Sequence, residues 1–251
     1  MARVSGIERT IQIFDLLEST GRAMNGSAIA KGVGASASTI YPIIDELLQR
    51  QLLARAEGSD VWLGPRLYRY GLAYGNALDI VRIATPVMRD LCQRIGETVQ
   101  LCGRDGGMMT ILGMEEADGH FRVSSRVGSR VPLNWTASGR LLVGHLPPAQ
   151  RLEIFAASAQ DSPSRRAVTD PKTLSAEAGE AFLARVSVQL SESEFAVACV
   201  AAPICNAAGA CVATVAIVLP EQRLIAMREK YVKEVQEASS HIERGFGVFR
   251  L

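Results

Sequence analysis

Residues 27–53, SAIAKGVGASASTIYPIIDELLQRQLL, decide how the chain is read. Ser27 can cap a short helix whose Ile29 and Ala30 face inward, and Gly32-Val33-Gly34 stops it. Ser36 stands as a second N-cap, its hydroxyl able to accept from the free backbone N–H groups of the next turn. After it Ile40, Ile43, Ile44, Leu47 and Leu48 recur at helical spacing, so that face is buried and Ala37, Ser38, Thr39 and Tyr41 are left outside. Two helices, a tight glycine turn and small hydroxyl residues opening the second helix form a helix-turn-helix pattern, in which that opening enters the DNA major groove. An ordinary helical hairpin would share the turn. The wing that follows favours DNA: residues 59–63 read as a strand after the turn residues Glu57-Gly58, paired with Leu52-Leu53-Ala54.

Outward from this stretch, residues 6–19 form an amphipathic helix with Ile7, Ile11, Phe14 and Leu17 on its stripe, closed by Gly21. It completes a winged DNA-binding domain over 1–66. Gly64-Pro65 opens a helical pattern through Leu67, Leu72, Leu78 and Val81, and its Gly71 and Gly75 each weaken it by about 1 kcal/mol relative to Ala. This is a linker helix over 67–84, and Gly71, Ala73, Gly75 and Ala77 give it a surface for close approach to a second copy. Pro86 starts a helix to Ile95 with Val87 and Leu91 on its face. From Glu97 the period turns strand-like, with strands over 97–103, 108–114 and 121–127 and a turn at Asp105-Gly106-Gly107. Helices follow over 136–146, from Pro147-Pro148 through Phe155, and from Asp170-Pro171 to near Val186, with a polar loop over 158–168. Residues 197–205 and 211–219 make a hairpin of buried strands about the turn 206–209, and a charged helix runs over 221–244. The fold class is therefore α+β: a winged helix-turn-helix, a linker helix, and a second domain over 85–251 with helices on an antiparallel sheet.

Composition narrows the function. At 251 residues, 48% hydrophobic and 21% charged, the chain reads as an ordinary globular protein with room for two small domains. Its longest apolar runs, such as 197–205, are too short to span a membrane, and Met1-Ala2-Arg3-Val4-Ser5 lacks the apolar core of a signal peptide. Five cysteines, an odd number, point to reduced thiols in the cytoplasm. A net charge of +1 means DNA binding must rest on local geometry and a few phosphate contacts. His120, His145 and His241 are scattered, and Cys199, Cys205 and Cys211 have a turn between the last two, so no metal site is expected. The chain shows no nucleophile elbow, Walker loop or dinucleotide fingerprint after a strand, so neither a cofactor nor a catalytic residue is expected. The glycines of 103–107 belong to a hairpin turn, and Glu115-Glu116 point to opposite faces of a strand.

DVWLGPRLYRYG, VGSRVPLNWTASGRLL and ACVAAPICNAAGACVATVAI, in that order behind a winged helix, resemble the IclR-type transcriptional regulators across essentially the whole chain. The resemblance implies a homodimer or homotetramer whose N-terminal domains bind a palindromic operator. It also implies a GAF-like C-terminal domain that binds a small effector and changes DNA affinity, as in a repressor of a catabolic or efflux operon. Ser36, Ser38, Thr39 and Tyr41 would meet DNA from the second helix, with Arg55 and Arg66 adding phosphate contacts beside the wing.

Several positions depart from the family pattern. Pro42 sits where members often carry Arg, Asn134 replaces the His of a Pro-Leu-His motif, bulky Trp135 follows it, and Arg140 stands where Lys is usual. In relatives that bind small carboxylates the pocket combines the loop after that motif, an acidic residue, a cysteine and a pair of serines on the last strand. By resemblance these positions fall at Asn134, Trp135, Thr136, Ala137 and Ser138, near Ser191, at Cys199, and at Ala216 and Val218. Residues 191–195 lie closer to Cys199 than in most relatives. Hydrocarbon in place of the serine hydroxyls would leave a buried anion unpaired, whereas an aromatic effector could stack on Trp135. The expected ligand is largely apolar and aromatic. The competing reading is a small-molecule-binding or catalytic α+β domain whose helical hairpin serves oligomerisation.

Overall fold

The computed structural model describes residues 5–77, 79–117, 121 and 123–248, the side chains of 72–79 and 246–248 excepted. The chain divides at 77/78 into two compact units.

The first unit opens with helix α1, Gly6–Thr20, where Ser5 Oγ accepts from the Glu8 N–H at 3.1 Å and Gly21 closes the helix at φ 63°. Its buried residues are Ile13 and Leu17, while Ile7 and Ile11 are 77% and 53% exposed. The stripe expected to start at Ile7 is thereby corrected. A 3.6-residue repeat fits either series, and the helices and strand packed on α1 select the one through Ile13. Strand β1 (Met24–Asn25) leads into α2 (Gly26–Gly32), and its N-cap is Asn25, not Ser27: Asn25 Oδ1 accepts from the Ala28 N–H at 2.9 Å. Pairing with a later strand holds Asn25 extended, the backbone an N-cap requires. Gly34, at φ 63°, turns the chain into α3, Ala37–Gln49. Helix α3 buries Ile40, Ile44 and Leu47 and continues past Pro42. The wing consists of β2 (Leu53–Arg55) and β3 (Asp60–Leu63), with Leu53 opposite Leu63 and Ala54 opposite Trp62. Strand β1 adds to it in the order β1-β3-β2. Helix α4 covers Pro65–Ala77. The side chains of Ala73 and Ala77 and the residue Leu78 lie outside what is described, as do His120 and Arg122.

The second unit begins with α5, Asp79–Ile95, which runs through Pro86 instead of starting there. Ile80, Ala84, Met88 and Leu91 keep one buried face across the proline, and this packing outweighs the missing N–H. Strands β4 (Thr98–Asp105) and β5 (Met108–Glu115) form a hairpin about Gly106, whose φ is 59°. The next strand, β6, is Arg130–Pro132, so the strand expected over 121–127 is absent from its described residues. Phe121 and Val123 do alternate, but they cover apolar side chains on the sheet face instead of joining the ladder. A 3-10 turn, Leu133–Trp135, leads to α6, Ala137–Gly144, whose N-cap Thr136 accepts from the Gly139 N–H at 2.9 Å. A Cβ at Gly139 would stand 2.0 Å from Leu133 O, and one at Gly144 2.4 Å from Ala178 O. Glycine at both places lets α6 lie tightly against its neighbours.

Helices α7 (Pro148–Ser158) and α8 (Pro171–Leu183) follow, then β7 (Ser187–Leu190), β8 (Val197–Cys205) and β9 (Cys211–Pro220). Strand β7 follows α8 where the sequence pattern shows no strand. The last helical stretch is divided into α9 (Glu221–Ala226) and α10 (Arg228–Val248) at Met227, where the single charged helix had been expected. No glycine or proline marks that break in the sequence.

The strands form a six-stranded antiparallel sheet in the order β6-β5-β4-β9-β8-β7. On one face Val99, Leu101, Val200, Ala202, Val215 and Ile217 pack against α5 and α10. On the other, Cys199, Ala201, Ala216 and Val218 meet Ala137 and Leu141 of α6, and α7 and α8 extend that layer through Phe155 and Leu174. With both faces covered, β8 and β9 read as continuous apolar runs.

Candidate nucleic-acid surface and ligand cavity

The exposed start of α3 carries a cluster of hydroxyls. Ser36 occupies the N-cap position but makes no capping bond; its Oγ lies 2.9 Å from Ser38 Oγ and 2.8 Å from Thr39 Oγ1. Tyr41, 45% exposed, has its ring beside Gly26, where a Cβ would come within 2.7 Å of it, and its hydroxyl 3.3 Å from Ser27 Oγ. The two helices of the motif therefore present one polar surface, and Ser27 joins it. Arg55 is exposed at the end of β2. Arg66, in the first turn of α4, donates to Arg50 O at 3.4 Å and lies 5.4 Å from the centre of the Tyr70 ring. Pro42 supplies no N–H to the turn before it, and α3 absorbs this near its exposed beginning.

The second unit holds a cavity of about 310 Å³ on the α6 face of the sheet. Its floor is Gln100 of β4, Met109 and Ile111 of β5, Cys199 of β8 and Val218 of β9, with Gln189 of β7 at one side. Trp135, Thr136 and Ser138 form its roof, and parts of 123–131 and 193–197 form its mouth. Of the positions expected for an effector, Trp135, Thr136, Ser138, Cys199 and Val218 border the cavity, whereas Asn134, Ala137, Ser191 and Ala216 do not.

Those four lie behind the lining. Asn134 is fully buried; its Nδ2 donates to Gln160 O at 2.8 Å and Val168 O at 2.9 Å, and its Oδ1 accepts from the Gln160 N–H at 3.2 Å. Trp135 Nε1 donates to the same Gln160 O at 2.9 Å, so the loop before α6 is pinned and the indole is fixed at the cavity wall. Ala137 and Ala216 are core residues. Ser191, at φ 54°, accepts from the Ala196 N–H at 3.0 Å and donates to Glu221, shaping the 191–196 turn.

Sequence reasoning missed Gln100 and Gln189, which stand at alternate positions among apolar neighbours and are 5% and 2% exposed. A polar side chain on the core face of a strand was the signal available for them. Gln100 Nε2 donates to Ser125 Oγ at 3.1 Å and to Met114 Sδ at 3.6 Å. Ser138 Oγ is buried without an oxygen or nitrogen partner. Burial pushes the Cys102 thiol up to about 12, opposed by the Ser138 and Thr214 hydroxyls, and raises Cys199 as well, so both are neutral thiols. Behind α6 the buried Arg140 pairs with Glu177 at 3.2 Å and with Glu192. Burial raises the Glu192 pKa and Arg140 opposes it. Among the described residues no group of three or more His, Cys, Asp or Glu side chains could hold a metal ion, and no helix is long and apolar enough to cross a membrane.

Residues 6–57 match the family model of the IclR helix-turn-helix domain, and residues 72–244 that of the bacterial transcriptional regulator IclR C-terminal domain. The regulator KipR of Bacillus subtilis is 28% identical over 222 residues, 88% of this chain and 89% of its own length. The repressor AllR of Klebsiella pneumoniae is 24% identical over 246 residues, 96% and 90% of the two chains. Among solved structures, an IclR homologue from Microbacterium hydrocarbonoxydans in complex with 4-hydroxybenzoate is 26% identical with a TM-score of 0.84, covering 96% of this chain and 98% of that one. The Thermotoga maritima IclR is 25% identical with a TM-score of 0.74 at the same coverage.

Proposed function

The chain belongs to the IclR family of bacterial transcriptional regulators, and from that premise we propose a repressor whose grip on its operator is altered by a largely apolar, aromatic effector held in the cavity beneath α6. Residues 1–66 bind DNA, 67–84, with most of α4 and the start of α5, join the two parts, and 85–251 bind the effector. Ser36, Ser38, Thr39 and Tyr41 contact phosphates or base edges from α3, and Arg55 and Arg66 add phosphate contacts. A single helix-turn-helix reads one half-site, so a homodimer or homotetramer spans the palindrome. The protein works in the cytoplasm without a cofactor or a catalytic residue.

The observation that carries the effector reading is the cavity itself: about 310 Å³, walled by Trp135, Met109, Ile111 and Val218, with the buried Ser138 hydroxyl, which has no oxygen or nitrogen partner, in it. Its volume is that of a small drug-sized pocket. Trp135, Thr136, Ser138, Cys199 and Val218 touch the ligand; Asn134, Ala137, Ser191 and Ala216 hold them in place. That the homologue from Microbacterium hydrocarbonoxydans binds 4-hydroxybenzoate supports an aromatic ligand in this fold.

A gel shift with the DNA upstream of the protein's own gene, repeated with a panel of simple aromatics and with pyruvate and glyoxylate, tests the reading. DNA should be bound and an aromatic should change the affinity. Response only to the small acids would overturn the effector assignment. The Thr39→Ala, Tyr41→Ala double variant should lose operator affinity by about ten-fold or more while folding normally. Unchanged affinity would overturn the DNA-contact assignment.

A further inference from the structure

Resting on the effector reading above, we propose that the cavity selects an uncharged aromatic carrying one hydroxyl or carbonyl group, anchored by Ser138 and Gln100, and that Glu194 at the mouth turns away carboxylates. Glu194 is the one carboxylate or cationic side chain among the described residues that line the cavity. It is exposed at the rim, and its Oε1 accepts from Ser124 Oγ across the opening. Among the described residues that line the cavity, an anion passing inward therefore approaches a negative charge and meets no positive one.

Of the described cations on neighbouring stretches, two are engaged elsewhere and one stays outside the lining. Arg140, on the same helix as Ser138, is buried against Glu177 and Glu192. Arg166, just beyond the lining residue Pro163, stands 5.5 Å from the centre of the Phe195 ring. Arg126 is exposed and does not line the cavity. A carboxylate moved from water into this site would lose hydration with no compensating ion pair.

The polar groups that do face inward suit a neutral ligand. Ser138 Oγ is 1% exposed at the residue level and has no partner but the Cys102 thiol, so it can still donate to or accept from a bound molecule. Gln100 spends its Nε2 on Ser125 and Met114, and its Oε1 takes no hydrogen bond from a described residue. Gln189 is already committed, its Oε1 accepting from the Glu192 N–H at 2.8 Å and its Nε2 facing Ser193 Oγ at 3.4 Å. Between the apolar walls of Met109, Ile111 and Val218, the Ser138 hydroxyl and the Gln100 carboxamide oxygen are placed to anchor one polar substituent, while Ser125, Ser129 and Ser193 accept hydrogen bonds from neighbouring groups. The 4-hydroxybenzoate of the homologue carries both a phenol, which this cavity can anchor, and a carboxylate, which no cation among the described lining residues balances.

Calorimetric titration of the full-length chain at neutral pH with methyl 4-hydroxybenzoate and with 4-hydroxybenzoate separates charge from shape. The ester should bind at least about ten-fold more tightly than the acid. Glu194→Gln, an exposed and nearly isosteric change, should shrink that ratio by about three-fold or more by improving binding of the acid. Ser138→Ala should weaken the ester by about five-fold with little change in the melting temperature, because the hydroxyl it removes has only the weakly accepting Cys102 thiol as partner. An acid that binds as tightly as the ester, or a ratio that Glu194→Gln leaves unchanged, overturns the charge selection while the aromatic reading stands. If neither compound nor any other aromatic binds, the effector reading itself fails and charge selection with it.

Discussion

The two faces of the six-stranded sheet come from the same strands and do opposite things. In β4, Val99 and Leu101 point to one side and Gln100 to the other; in β9, Val215 and Ile217 oppose Ala216 and Val218. In β4 and β9 the α5/α10 face carries the branched Val99, Leu101, Val215 and Ile217 and is filled. The α6 face places alanine, cysteine and glutamine at the same levels and leaves about 310 Å³ between the sheet and the pinned loop at Trp135. A difference of a few methylene groups at alternate positions thus separates a load-carrying layer from a binding layer. A closely packed interior would otherwise close over such a space.

Breaking the filled face should have the largest effect. Leu101, fully buried there, should cost about 2–5 kcal/mol when changed to Ala, read as a lower urea midpoint of the second unit. A loss below about 1 kcal/mol would mean this face is no better packed than its opposite. Filling the cavity should instead spare stability and remove function. Val218→Phe places a ring in existing space, so its stability change should stay below about 1.5 kcal/mol while aromatic affinity falls by about 100-fold.

The smallest effect appears only in alkali. Tyr231, packed on the filled face, has its pKa raised from 10.0 to about 12, first by burial and then by Glu97, whose Oε1 accepts from the Tyr231 hydroxyl at 3.1 Å. The folded state holds this proton more tightly than the unfolded chain. Its contribution is therefore fully present below pH 10 and is lost as pH rises through about 12. Melting temperature followed across that window should fall less steeply in Tyr231→Phe, and an identical slope would remove Tyr231 from the account.

Much of this architecture is legible in the sequence. Local signals carried it: the glycine turn before α3, the Asp170-Pro171 start of α8, and the hairpin of β8 and β9. What failed depended on partners distant in sequence. Ile7 and Ile11 fit a helical stripe as well as Ile13 does, and only the elements packed on α1 decide between them. Asn25 caps α2 because β1 pairs with β3, which propensity at Ser27 could not foretell. Phe121 and Val123 alternate like a strand yet serve as cover, and Met227 breaks a helix without a breaker residue. The cavity was half visible. Trp135, Ser138 and Cys199 followed from resemblance, but Gln100, Gln189 and Glu194 are brought there by sheet register and by a turn whose ends, Ser191 and Ala196, both take positive φ.

The most direct test of the central claim, that the space under α6 controls DNA binding, is a titration of the preformed operator complex with methyl 4-hydroxybenzoate, in the original chain and in Val218→Phe. The account predicts that the original chain changes its DNA affinity with a half-point matching the calorimetric dissociation constant, and that Val218→Phe binds the operator normally but no longer responds. A filled-cavity variant that still responds at the same ligand concentration would contradict it.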